Sequence, residues 1–281
     1  MIYETIDLYE QIGLPRGGEK GGRVTSFRHA DLTEMGQKHI RPALLIIPGG
    51  GYGMISQREA EPVAARYFAE GFDCFVLDYA VAPACYPTQL LQAGMAMLWL
   101  RRNAQAFSLW KIGVVGFSAG GHLAGCVSYL WRDEALMRAF GEECAAIRPD
   151  ASVLCYPVVT CVTPTHGDSF RNFCGGKVPP EAYSLEKHVP QDAPPAFLWA
   201  TTPDDCVPVE NSLALYNALR RAGIPVEMHL FEEGWHGLST CDAETNDTPL
   251  PAFMARDSAW FPLSVAFLRA HGFVLVSRPR G

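Results

Sequence analysis

Lys111 to Val115 reads as a short apolar strand, and Ala119 to Leu130 as a helix of small and apolar residues. Between them lies Gly116-Phe117-Ser118-Ala119-Gly120, a serine held in a tight strand-to-helix turn. Gly116 and Gly120 leave room where a Cβ would strike the turning backbone. A strand ending in such an elbow presents the serine oxygen at the edge of a sheet. The helix that follows adds aligned N–H groups and a positive dipole end, which favour negative charge developing nearby. The five-residue pattern alone is weak in a chain with 26 glycines. The strand before it and the helix after it give it weight over a glycine-rich turn with a surface serine.

The rest of the chain supplies the matching scaffold. Pro42–Ile47, Asp73–Tyr79, Ala151–Tyr156, Ala196–Ala200 and Val226–Phe231 read as further strands. They alternate with helix-like stretches at 58–70, 88–106, 210–222 and 257–271, three of them closed by Gly71, Gly223 and Gly272. Such alternation predicts an α/β chain with a mostly parallel central sheet and helices on both faces. The first forty residues suggest an antiparallel edge. The Pro- and Gly-rich stretch 157–195 is too long for a plain connection and reads as a short cap or insertion over the site. At 281 residues the chain is expected to form one domain, 1–281.

Composition excludes several classes. A formal net charge of −7 argues against nucleic-acid binding and against an anionic membrane surface. The nine cysteines are odd in number and lack a C-x-x-C pair, and several sit in apolar runs as Cys74 does. That usage suits a reducing compartment. With no apolar leader and no run approaching roughly 18 apolar residues, a cytoplasmic location and no membrane partner are expected. No H-E-x-x-H or similar spacing offers metal ligands, so no metal and no cofactor are expected.

A nucleophilic serine needs a base, an orienting acid and oxyanion donors. His236, in Gly234-Trp235-His236-Gly237, follows the strand ending at Phe231 and is the candidate base. His122 competes, but its place inside the elbow helix suggests a structural hydrogen bond. Asp204 and Asp205 follow the strand 196–200; Asp204, first after the turn, is the favoured acid, with Asp205 capping the next segment. Gly50 and Gly51, in Pro48-Gly49-Gly50-Gly51-Tyr52, are candidate oxyanion donors together with the N–H of Ala119. That glycine loop lacks the Lys-Ser/Thr pair of a phosphate-binding loop. Tyr52, Phe170 and Trp235 are aromatic candidates for the substrate wall.

Pro48–Tyr52, Glu59–Ala64, Gly116–Leu123, Tyr156–Val158, Pro194–Phe197 and Gly234–Gly237 together resemble the acetylxylan/feruloyl-type carbohydrate esterases. These lie in the α/β-hydrolase superfamily, near the hormone-sensitive-lipase-like esterases. The resemblance spans about 43–238 and implies the α/β-hydrolase fold, the triad Ser118, Asp204 and His236, and an oxyanion hole from the glycine loop and Ala119. It implies a serine carboxylester hydrolase acting without cofactor on acetyl or aryl esters of plant-derived sugars. Pro48 stands where related lipases place a histidine, a departure found in the carbohydrate-esterase branch. With no export signal in view, small acetylated xylo-oligosaccharides are the expected substrate. A serine peptidase of the same fold and a non-catalytic ligand-binding protein are the alternatives, and self-association into a homo-oligomer is left open.

Overall fold

Nine strands join in one sheet among the residues that this computed structural model describes, 1–162 and 164–280. They are β1 (Ile2–Asp7), β2 (Arg23–Arg28), β3 (Gln37–Ile47), β4 (Asp73–Asp78), β5 (Leu109–Phe117), β6 (Ser152–Cys155), β7 (Ala196–Thr201), β8 (Val226–Phe231) and β9 (Val276–Pro279). Their order is β1-β2-β4-β3-β5-β6-β7-β8, with β9 paired to the first residues of β3. Every pairing from β4 to β8 is parallel. The β1–β2 and β2–β4 pairs are antiparallel and form the expected edge. The arrangement is the α/β-hydrolase fold.

The helices are α1 (Leu8–Ile12), α2 (Glu61–Ala69), α3 (Thr88–Arg102), α4 (Ala104–Phe107), α5 (Ala119–Tyr129), α6 (Glu134–Phe140), α7 (Gly167–Cys174), α8 (Glu210–Arg221), α9 (Phe253–Asp257) and α10 (Trp260–Ala270). Successive strand residues point to opposite faces, and the central strands feed two cores in turn. Leu45, Val114, Leu154 and Leu198 pack with α3, α5 and α8. Their neighbours Ile46, Val115, Val153 and Phe197 pack with α2 and α10. Burial on both faces is why these strands read as unbroken apolar runs. Helix α5 is buried along its whole length, so its small residues meet protein on every side.

Several elements differ in detail from those expected, among them the helix expected over 58–70, which becomes a 3₁₀ turn at Gln57–Glu59 followed by α2. The helix expected over 88–106 breaks at Asn103 into α3 and α4. The one expected over 257–271 becomes α9 and α10; Pro262 has no N–H to donate and sits in the first turn of α10, where that loss is tolerated. β3 starts at Gln37, and its polar Gln-Lys-His extension is paired by β9, which no apolar pattern announces. Within 157–195 the chain forms α7 and two short 3₁₀ turns, 180–183 and 185–187. No helix among the described residues is long and apolar enough to cross a membrane.

Candidate active site

Because β3, β5, β6, β7 and β8 are parallel neighbours, the loops leaving their carboxyl ends gather on one rim of the sheet. Ser118 follows β5, Asp204 follows β7, His236 follows β8, and the glycine loop follows β3. Ser118 and His236, 118 residues apart in sequence, thus meet in one cluster.

Ser118 adopts φ 54° and ψ −120°, a conformation costing a non-glycine residue about 1–3 kcal/mol. Surrounding hydrogen bonds hold it there. Its N–H donates to the Cys155 carbonyl (3.0 Å), and its carbonyl accepts from the N–H groups of His122 and Val158 (both 3.1 Å). Gly120 explains the tightness of the turn, since a Cβ there would lie 2.1 Å from the Ile47 carbonyl oxygen and 2.3 Å from that of Pro48. Elbow and glycine loop therefore touch backbone to backbone.

The Ser118 Oγ lies 2.7 Å from His236 Nε2, and His236 Nδ1 lies 2.7 Å from Asp204 Oδ2. A carboxylate only accepts, so Nδ1 carries the proton and Nε2 is left to accept from the serine hydroxyl. Asp204 is buried, and its Oδ1 also accepts from the N–H groups of Cys206 (3.0 Å) and Val207 (2.8 Å). Asp205 is exposed. The expectation that Asp205 caps the following segment is corrected: Asp204 does so, because one carboxylate has an oxygen for each task.

In the glycine loop the carbonyls are tied down. Gly49 O accepts from Ser56 N–H, Gly50 O from Gly53 and Met54 N–H, and Gly51 O from Asn172 Nδ2. Gly50 and Gly51 have φ of 116° and 62°, which glycine adopts without penalty. Among the described residues the N–H groups of Gly50, Gly51 and Ala119 donate no hydrogen bond to protein.

A cleft of about 300 Å³ opens over Ser118 and His236. Its walls are Gly50, Gly51, Met54, Ser56, Arg58, Glu59, His166, Cys206 and Gly237. None of the three aromatic candidates lines it. Tyr52 is fully buried and donates its hydroxyl to His122 Nδ1 (2.8 Å), while His122 Nε2–H donates to the Tyr183 carbonyl (2.9 Å). Phe170 is buried edge-on against the same His122 ring. Trp235 is exposed and packs on Phe253. Burial pushes the His122 imidazole down to about 4, in keeping with a structural, neutral ring. Proximity in sequence to a site residue says little about facing, since one residue's turn redirects a side chain into the core.

The sequence does not mark His166, Arg58 and Glu59 as site residues, although Glu59 opens the Glu59–Ala64 segment of the family resemblance. His166 comes from the 157–195 segment, with Nδ1 2.8 Å from Ser169 Oγ. Burial first, then the His236 and Arg171 charges, lower its pKa and favour the neutral ring. Arg58 and Glu59 sit where the pattern promised only a helix start. Among the described residues no group of three or more His, Cys, Asp or Glu side chains has the grouping to hold a metal ion.

Known proteins share the family and the fold of this chain. The BD-FAE family model matches residues 32–169, and the Prolyl oligopeptidase family model matches residues 169–254. The chain is 36% identical over 215 residues to endo-1,4-beta-xylanase B of Butyrivibrio fibrisolvens, covering 73% of this chain and 33% of that protein. It is 28% identical over 209 residues to acetylxylan esterase of Xylanibacter ruminicola, covering 69% and 40%. The chain thus spans well under half the length of these curated relatives. Among solved structures, the acetyl ester-xyloside bifunctional hydrolase from Caldicellulosiruptor lactoaceticus superposes with a TM-score of 0.75 at 30% identity, over 94% of this chain and 97% of that one.

Proposed function

This chain belongs to the α/β-hydrolase superfamily of serine esterases, and on that premise we propose that it removes acetyl groups from small carbohydrate esters through an acyl-enzyme on Ser118. The observation that carries the reading is the unbroken Ser118–His236–Asp204 chain of 2.7 Å contacts at the rim of the sheet. His236 Nε2 takes the Ser118 proton as Oγ attacks the ester carbonyl, and Asp204 steadies the resulting imidazolium. The free N–H groups of Ala119, Gly50 and Gly51 serve the tetrahedral oxyanion. The alcohol leaves with the proton from His236, and a water, activated by the same imidazole, releases the acid.

Acetyl is favoured over aryl acyl groups by the walls of the cleft. They offer polar groups from Ser56, Arg58 and His166 and, apart from imidazoles, no aromatic ring on which a feruloyl group would stack. The relatives named for acetylxylan and for acetyl ester-xyloside hydrolysis support the carbohydrate alcohol. Acetylated xylo-oligosaccharides, methyl ferulate and p-nitrophenyl acetate should be compared on the wild type and on Ser118→Ala. The expected result is turnover of the acetyl esters well above the ferulate, abolished in the variant while the protein stays folded. Undiminished p-nitrophenyl acetate hydrolysis by Ser118→Ala would overturn the assignment of the nucleophile.

The prolyl oligopeptidase match over 169–254 favours a second reading, peptide-bond hydrolysis by the same three residues. A peptidyl chromogenic substrate assayed beside the acetyl esters separates the two.

A further inference from the structure

Among the described residues four carboxylates are almost fully buried: Asp73, Asp204, Asp257 and Glu59. Three of them lie within 3.4 Å of a histidine or arginine nitrogen. Glu59 has no cationic partner among the described residues. Burying a carboxylate is costly unless hydrogen bonds replace its water, so what Glu59 binds is informative.

One oxygen, Oε2, accepts from the N–H of Gly49 at 2.8 Å. The other, Oε1, accepts from the Tyr156 hydroxyl at 2.7 Å. That hydroxyl oxygen in turn accepts from the N–H of Ser239 (3.0 Å), and Ser239 Oγ donates to the carbonyl of Arg58 (2.6 Å), beside Glu59. The ring closes on itself and joins three loops. Gly49 opens the glycine loop, whose packing is so close that a Cβ on it would lie 2.7 Å from Glu59 Oε2 and 2.9 Å from Ser118 Cβ. Tyr156 follows β6 and sets its ring edge-on against His236, centroids 5.0 Å apart. Ser239 lies three residues beyond His236.

We infer that Glu59 is a positioning residue which, through Gly49 on one side and Tyr156 with Ser239 on the other, holds the oxyanion loop in register with the histidine loop. This rests on the proposed roles of Ser118, His236 and the glycine loop. The carboxylate form suits the task because both its partners are donors. In Glu59→Gln the amide NH₂ must face either Gly49 N–H or the Tyr156 hydroxyl. If it faces Tyr156, the phenol oxygen accepts from two N–H groups and its own proton loses its acceptor. No triad side chain is itself altered, so the loss falls on the register between the oxyanion donors and the histidine loop. A displacement of about 1 Å at such a site costs on the order of 100-fold in rate.

The test uses Glu59→Gln and Tyr156→Phe, the second guarding against failure of the first to fold. Active sites are titrated to completion with a fluorophosphonate, so that rates count only competent enzyme. The expected result is kcat on p-nitrophenyl acetate lower by roughly 10- to 100-fold with KM changed much less. Inhibition by butylboronic acid, whose tetrahedral adduct puts an oxygen in the oxyanion position, should weaken by the same factor as kcat/KM. The double variant should be no slower than the slower single one. Wild-type kcat per titrated site in both variants, with only thermal stability lowered, would reduce Glu59 to a structural residue. Ser118→Ala run in parallel tells the two ideas apart. Its full inactivity beside wild-type kcat in Glu59→Gln overturns only the positioning role, and its retained turnover overturns both.

Discussion

His122 gives a stability test that does not depend on catalysis. Its ring is buried between the Tyr52 hydroxyl and the Tyr183 carbonyl, and burial lowers its pKa from 6.5 to about 4. Above pH 6.5 the ring is neutral in both folded and unfolded chains and contributes no pH dependence. As pH falls below 6.5 the unfolded chain takes up a proton that the native protein refuses, so native stability declines. The decline runs at ~1.4 kcal/mol per pH unit and stops near pH 4, where the native ring protonates too. It amounts to about 2 kcal/mol by pH 5 and roughly 3 kcal/mol over the whole window. Replacing His122 by Gln keeps a donor for the Tyr183 carbonyl and removes the titration. Urea denaturation at pH 7 and pH 5 reads the difference directly. Wild type should lose about 2 kcal/mol more than the variant between those conditions. His166 and His271 also have lowered pKa values, but they remain in both proteins and cancel. Equal losses in the two proteins would refute the buried neutral imidazole.

Asp204→Asn keeps an oxygen for Cys206 and Val207 but sets an amide against His236 Nδ1, so kcat should fall on the order of 10⁴-fold, as in other triads. Asp205→Asn, at an exposed position, should stay within about twofold of wild type when surface effects alone apply. Gly120→Ala drives a methyl group into two backbone carbonyls; steady-state kinetics and urea midpoints should show both activity and about 1–3 kcal/mol of stability lost. Trp235→Ala should leave KM for acetyl esters unchanged, because the indole packs on Phe253 outside the cleft. A raised KM would return Trp235 to the substrate wall. All nine cysteines are unpaired, so iodoacetamide in denaturant without reductant should add nine carbamidomethyl groups by mass spectrometry.

The parts of the fold legible in the sequence are those where one local rule decides the outcome. Strands such as Leu44–Ile47 and Val114–Phe117 are buried on both faces, so their apolar runs stand out without knowledge of any neighbour. The elbow is legible for a related reason. Its glycines answer a clash that exists within the turn and against the loop beside it, whatever the rest of the protein does. β9 fails this condition. Val276-Ser277-Arg278-Pro279 is mostly exposed and becomes a strand only because the polar start of β3 lies alongside.

The same distinction separates Asp204 and His236 from Glu59. Each of the first two follows a strong strand signal, and a parallel sheet brings the ends of such strands together. Their meeting could be expected without any contact being known. Glu59 opens a segment of the family resemblance, but its role has no comparable signature, because its partners are a backbone N–H ten residues back and a phenol 97 residues ahead. In one dimension it is a charged residue near a helix start, where solvent exposure is the ordinary outcome. Only the fold shows that its charge is buried and committed to two donors. The aromatic candidates failed in the opposite direction: Tyr52 adjoins the glycine loop in sequence, yet its φ of 57° accompanies a side chain sunk against His122. A residue's chemistry is legible where position along a strand dictates what it meets. Where meeting depends on how three loops pack, as for Glu59, Tyr156 and Ser239, it is a property of the fold.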